Sequence, residues 1–231
     1  MRAIRADMHR ALTGVWFPVS VVATAACLWM DLGEDSYWLL RGGGMEPMAL
    51  LAGALAGAGS ALALPILAAL PAAGAALREL SAGAARMAVF RCGRGAYIAG
   101  KLLAALLSAA LSQAAGCLIF TGLLLMLCPA AAAPFPAPVL LSRLLSAMVF
   151  SLIGGVGALL TNDAVSACTV PTAASFALTM LSSRFFIGVR YLCPRSWLSG
   201  DAGALTLLIA LIAAASALYM AVLRRELGRH A

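Results

Sequence analysis

Six apolar runs dominate the chain, at 14–30, 48–70, 102–127, 139–160, 164–181 and 202–223, and Arg143 is the one charged residue inside any of them. About 20 apolar residues in a helix cross a bilayer's hydrocarbon core. The pattern therefore predicts an all-α, polytopic membrane protein with six transmembrane helices. Three intervening stretches carry a pattern of their own. In residues 1–13, MRAIRADMHRALT, helical spacing gathers Ile4, Met8, Ala11 and Leu12 on one side, and Arg2, Arg5 and Arg10 lie among them. That arrangement predicts an N-terminal helix lying at the membrane interface. Residues 72–100 form the longest break between runs. Leu77, Leu80, Ala84 and Met87 recur there at helical spacing, and Glu79, Gly83 and Arg86 share another face. One amphipathic helix is expected, ended by Gly93 and Gly95, with Tyr97 as an interfacial anchor and Lys101 snorkelling at the mouth of span three. Residues 182–201, SSRFFIGVRYLCPRSWLSGD, are too apolar for a free loop and too charged for a span. An interfacial or re-entrant hairpin fits them.

Small and polar residues within the runs suggest how the spans pack. Gly53 and Gly57 form a GxxxG in span two, a spacing that lets helix backbones approach closely. Pro65 is expected to kink the last third of that span and Pro171 to kink span five. Gln113 lies near the middle of span three, where it either lines a solute path or hydrogen-bonds a neighbouring helix. Gly42–Gly44 give a flexible approach to span two, and 128–138, CPAAAAPFPAP, a short stiff turn. Ala23-Thr24-Ala25 resembles a secretory cleavage site, but the apolar run continues through Leu28, Trp29 and Met30, so span one is read as retained.

Composition supports this pattern. The chain is 63% hydrophobic and 11% charged, with a mean hydropathy of +0.99; soluble domains carry about 25% charged residues. The whole of 1–231 reads as one transmembrane domain. The net charge of +7 is then a matter of topology, with no nucleic-acid partner implied. Six spans with both termini cytoplasmic place eleven of the sixteen Lys and Arg residues inside and leave Arg41, Arg143, Arg184, Arg190 and Arg195 outside. That is the bias expected of a multi-pass protein of the cell membrane. The acidic segment 31–46 falls outside, as does the 182–201 hairpin. The six cysteines form no CxxC pair, and Cys128 and Cys193, both placed outside, are read as free thiols.

The sequence is also poor in catalytic chemistry. All nine carboxylates fall in loops or at span ends, and His9 and His230 are terminal. No paired carboxylates, Ser/His/Asp set, HExxH or metal cluster is present, so no enzyme activity and no cofactor are expected. Gly95–Lys101, GAYIAGK, matches the GxxxxGK of a phosphate-binding loop. Leu102 follows where a magnesium-binding hydroxyl is needed, and no strand precedes it. A chain that moves a solute without a carboxylate or histidine deep in its spans would take its energy from another subunit.

This layout resembles the membrane-spanning (permease) subunit of a type-2 ATP-binding cassette exporter. The resemblance rests on the basic N-terminal helix and on six spans in about this length. It rests too on Arg78-Glu79-Leu80 with Gly83, on Arg91-Cys92-Gly93-Arg94-Gly95-Ala96-Tyr97-Ile98 with Gly100-Lys101, and on the hairpin before span six with Tyr191-Leu192-Cys193-Pro194 and Trp197. It implies that the segment between spans two and three is a coupling helix docking on a cytoplasmic ATPase subunit, with Arg78, Glu79, Gly83, Arg86 and Arg91 at or near the contact. It further implies a second membrane subunit, identical or related, and a central path lined by spans one, two and five. Gln113, Gly53, Gly57 and Pro171 are the residues expected to line that path or pack beside it. The expected function is ATP-driven export of a hydrophobic or amphipathic solute. The alternative is a membrane assembly or immunity protein that transports nothing. A secondary transporter is less favoured, because the spans lack a buried carboxylate or histidine.

Overall fold

The computed structural model describes residues 2–41, 46–128, 134–186 and 189–229. Gly42–Gly44, residues 129–133 of the proline-rich turn, Ile187 and the last two residues lie outside these. The described residues are helical, with no strand among them. In chain order the helices are α1 (Arg2–Thr13), α2 (Trp16–Asp31), α3 (Glu34–Leu40), α4 (Pro47–Leu55), α5 (Ala58–Ala69), α6 (Ala75–Ser81), α7 (Ala84–Cys92), α8 (Arg94–Leu127), α9 (Ala137–Thr161) and α10 (Ser166–Arg184). Two 3-10 turns, Arg190–Leu192 and Pro194–Ser199, precede α11 (Ala202–Arg229).

Three helices, α8, α9 and α11, are long and apolar enough to cross a membrane. Two bent pairs, α1–α2 at 54° and α4–α5 at 61°, raise the number to as many as five if each pair is one span. Helix α10, where the fifth apolar run lies, has the length but carries Ser166, Thr169, Thr172, Ser175, Thr179, Ser182 and Ser183 and is not among these candidates. Several of these hydroxyls turn back onto their own helix: Thr172 Oγ1 donates to Cys168 O at 2.7 Å and Thr179 Oγ1 to Ser175 O at 2.8 Å. The polar groups are satisfied locally, yet they dilute the apolar surface that a membrane rewards.

Three sequence expectations about helix breaks change. The second apolar run breaks at Ala56-Gly57, while α5 passes through Pro65 unbroken. The segment before α8 is two short helices. Gly83, at φ +71°, separates α6 from α7, so Leu77 and Leu80 are buried while Met87 is 59% exposed. Gly93, at φ +82°, ends α7, but Gly95 lies within α8. Within 72–100 the two glycines that act as breaks are those in conformations that a side chain disfavours. Proline and glycine elsewhere are carried by helices held in tertiary contacts.

Helix α9 is the hub, packed by α5, α8, α10 and α11. At its end nearest α6, Gly155 and Gly157 leave no room for a side chain: a Cβ would come within 2.7 Å of Tyr219 on α11 and of Val170 on α10. The turn Pro194–Ser199 folds back into the bundle. Trp197 and Leu198 are buried, the Trp197 ring stacks on Phe150 at 5.9 Å, and its Nε1 donates to Tyr191 O at 2.8 Å. Phe150 is near the midpoint of α9, about 20 Å from its start at 1.5 Å per residue, so this hairpin enters the bundle rather than resting on it.

Candidate docking site and its polar supports

Helices α6 and α7 stand at one end of the bundle with α1 and the ends of α8 and α11. Helix α6 is clamped. Its Glu79 accepts from Lys101 Nζ at 2.6 Å, from Arg10 Nη1 at 3.0 Å and from Tyr97 Oη at 3.1 Å. Lys101 also donates to Asp7 at 2.7 Å. The Lys101 side chain is 4% exposed and that of Asp7 9%, whereas the Arg10 side chain is 70% exposed. One buried cation thus joins two carboxylates from different helices. A buried ion pair in low dielectric persists only when its remaining donors and acceptors are met, and Tyr97 and Arg10 meet those of Glu79. The approach needs Gly100, because a Cβ there would lie 2.8 Å from Asp7 Oδ2. The Gly-Lys that ends the GxxxxGK stretch therefore seats α1 within a continuous helix.

Helix α7 is more exposed. Phe90 is 91% exposed, Met87 is largely exposed, and Arg86 and Arg91 lie on the surface beside them. Ala85 is the one fully buried residue of α7. A groove of about 730 Å³ runs beneath it, lined by Leu80, Gly83, Arg86, Met87, Arg94 and Leu227 among others. Its floor is fixed by Arg94 Nη2, which donates to Arg224 O and ties the start of α8 to the end of α11. Of the five expected contact residues, Arg78, Gly83, Arg86 and Arg91 are exposed, and Glu79 is turned inward. Phe90 was not singled out from sequence. One aromatic residue in an apolar chain carries no local signal until the helix break shows which way it faces.

The residues expected at a path or packing surface separate. Gln113 is fully buried, and its Nε2 donates to Thr24 Oγ1 at 2.9 Å, joining α8 to α2. Gly53 is exposed with open space around it, and Gly57 is held against Asp31. The two glycines thus do not form one packing face. Pro171 is buried within α10. A groove of about 440 Å³ lies between α5 and α10, lined by Ile66, Cys168, Thr169, Thr172, Ala173 and Phe176.

A second polar cluster lies at the α4–α5 break, and there one sequence expectation is corrected. Asp31, placed from sequence in an outer loop, is the last residue of α2 and caps α5, accepting from Gly59 N at 2.9 Å and Ser60 N at 2.5 Å. Arg143, placed at the outer end of its span, has no exposed surface. Its Nη1 donates to Leu55 O at 3.2 Å and Ser60 Oγ at 3.1 Å. A charge at the fifth position of an apolar run reads as a flank when counted along the sequence. Its isolation among apolar residues was the available signal.

No protein-family model matches this chain, and neither does any curated protein.

Proposed function

We propose that the chain is the permease subunit of an ATP-binding cassette transporter of the type-2 exporter kind, energised by a separate cytoplasmic ATPase. In this reading α1 lies at the cytoplasmic interface. Helices α2, α4–α5, α8, α9, α10 and α11 are the six spans, and both termini are cytoplasmic in the cell membrane. The observation that carries the proposal is the contrast between α6 and α7. Helix α6 is bolted by ion pairs to α1 and α8, and α7 offers Phe90 between Arg86 and Arg91. An exposed aromatic with arginines beside it is the composition of an interface anchor, and a push on α7 would pass through α6 to the long helix α8. The apolar groove between α5 and α10, with the hydroxyls of Thr169 and Thr172, suits a hydrophobic or amphipathic solute. A second, identical or related subunit would close it.

Glu79 is a poor probe of docking, because replacing it also breaks the ion pairs that hold α6 to α1 and α8. The informative variants are Phe90→Ala and Arg91→Glu, which touch neither ion pair. Purified with its native ATPase, the wild-type chain is expected to stimulate ATP hydrolysis. Each variant should lower recovery of the ATPase at least tenfold at unchanged thermal stability. Recovery of the wild-type chain without an ATPase, or full stimulation by both variants, would favour the assembly or immunity reading.

A further inference from the structure

The α4–α5 break is held by two opposite charges that do not pair with each other. Asp31 satisfies the first amides of α5, and Arg143 satisfies the last carbonyl of α4 through Nη1. Both bind Ser60, Asp31 at the amide and Arg143 at the hydroxyl, so the two charges are separated by a single residue. Nε and Nη2 of Arg143, the guanidinium edge that grips a carboxylate with two bonds, have no partner among the described residues. A fully buried guanidinium with two idle donors is costly. The two charges already cancel, so an added anion would leave net negative charge in a low-dielectric site. Asp31 is the carboxylate beside Arg143, whose other titratable neighbours are Cys27 and Cys117.

The hydrogen bonds of the alternative arrangement close completely. In an α-helix each amide bonds the carbonyl four residues earlier. If α4 and α5 joined, Gly59 N would bond Leu55 O, now held by Arg143, and Ser60 N would bond Ala56 O. Asp31 and Arg143 would both be released at once, free to form the bidentate pair that Nε and Nη2 lack. We propose that this segment is a two-state element. In one state it is a broken helix capped by Asp31 and Arg143, and in the other a continuous helix beside an Asp31–Arg143 ion pair. The amides of Gly59 and Ser60 and the carbonyl of Leu55 are satisfied in both states, so the two lie close enough in free energy for both to be populated. Gly57 permits the broken state, because a Cβ there would overlap the Asp31 carboxylate. Helix α5 forms one wall of the groove with α10, so the exchange alters that groove whatever occupies it.

Spin labels on encoded keto residues at Glu46 and Ile66, with the chain in lipid nanodiscs, test this by pulsed electron resonance. Straightening the 61° bend lengthens the separation by about 4 Å at 1.5 Å rise per residue. The wild-type chain is expected to show both distances. Arg143→Gln should retain only the shorter one, because Asp31 then has no partner but α5. Gly57→Ala should enrich the longer one, and it decides the matter if Arg143→Gln does not fold. A single short distance in both the wild-type and Gly57→Ala chains would overturn the proposal. So would a long population unchanged in Arg143→Gln.

Discussion

Replacing Lys101 by methionine is expected to detach α1 and loosen α6 together. The variant removes the cation shared by Asp7 and Glu79, whose oxygens lie 2.7 and 2.6 Å from Nζ. Two carboxylates would then face each other in a site where Asp7 is 8% exposed. Removing one partner of a buried pair costs about 3–5 kcal/mol, much of it the penalty of the stranded charge. Arg10 can relieve Glu79 only from a largely exposed position. Thermal unfolding in detergent should therefore fall sharply, and limited proteolysis should cut the chain between α1 and α2 in the variant alone. The triple variant Asp7→Asn, Glu79→Gln, Lys101→Met removes every stranded charge and is expected to regain most of the loss. Failure of the triple to recover would mean that Lys101 matters through packing of its stem, and equal stability of Lys101→Met and the wild-type chain would refute the account.

The hydrophobic pattern made most helices legible, because burial in a membrane asks only for a long apolar run. It could not show how those runs are interrupted. The second run reads as one span, and its break at Gly57 depends on Asp31 and Arg143, residues 26 positions before it and 86 after it. The acid and the arginine each looked like a loop or flank residue because position along the chain was the only depth gauge available. Residues 72–100 were legible as amphipathic and basic. Their division was missed because Leu77, Leu80, Ala84 and Met87 keep a helical period across Gly83, whose positive φ resets the register. Glu79 was picked out by its charge, but charge alone could not show that it faces Lys101 rather than a partner. The fifth run sits at the margin: its apolar residues suggested a span, and its hydroxyls keep α10 out of the helices that qualify by length and composition.

Gly154→Ala should be nearly as damaging as the loss of Lys101, for a steric reason. On α10, Pro171 has no N–H, so the Ala167 carbonyl four residues earlier lacks its helical donor. Gly154 on α9 faces that carbonyl: a Cβ built there would overlap Ala167 O and lie 3.2 Å from the Ala69 methyl on α5. With only hydrogens on its Cα, Gly154 lets the α9 backbone sit close against that oxygen. A methyl would force α9 and α10 apart, and because the obstructing atom is backbone, no rotamer change can absorb it. Overpacking of this kind costs about 1–3 kcal/mol and sometimes more. Gly122→Ala on α8 is the control, since nothing lies within 4 Å of the added methyl. It should stay within about 1 kcal/mol of the wild-type chain, the size of the helix-propensity difference. Denaturant unfolding in mixed micelles would separate the two variants. The double variant Gly154→Ala, Pro171→Ala restores an N–H to Ala167 O but leaves the overlap, so it should remain unstable. Recovery in that double variant would show that the unpaired carbonyl, and not the close approach of α9 to α10, sets the requirement for glycine.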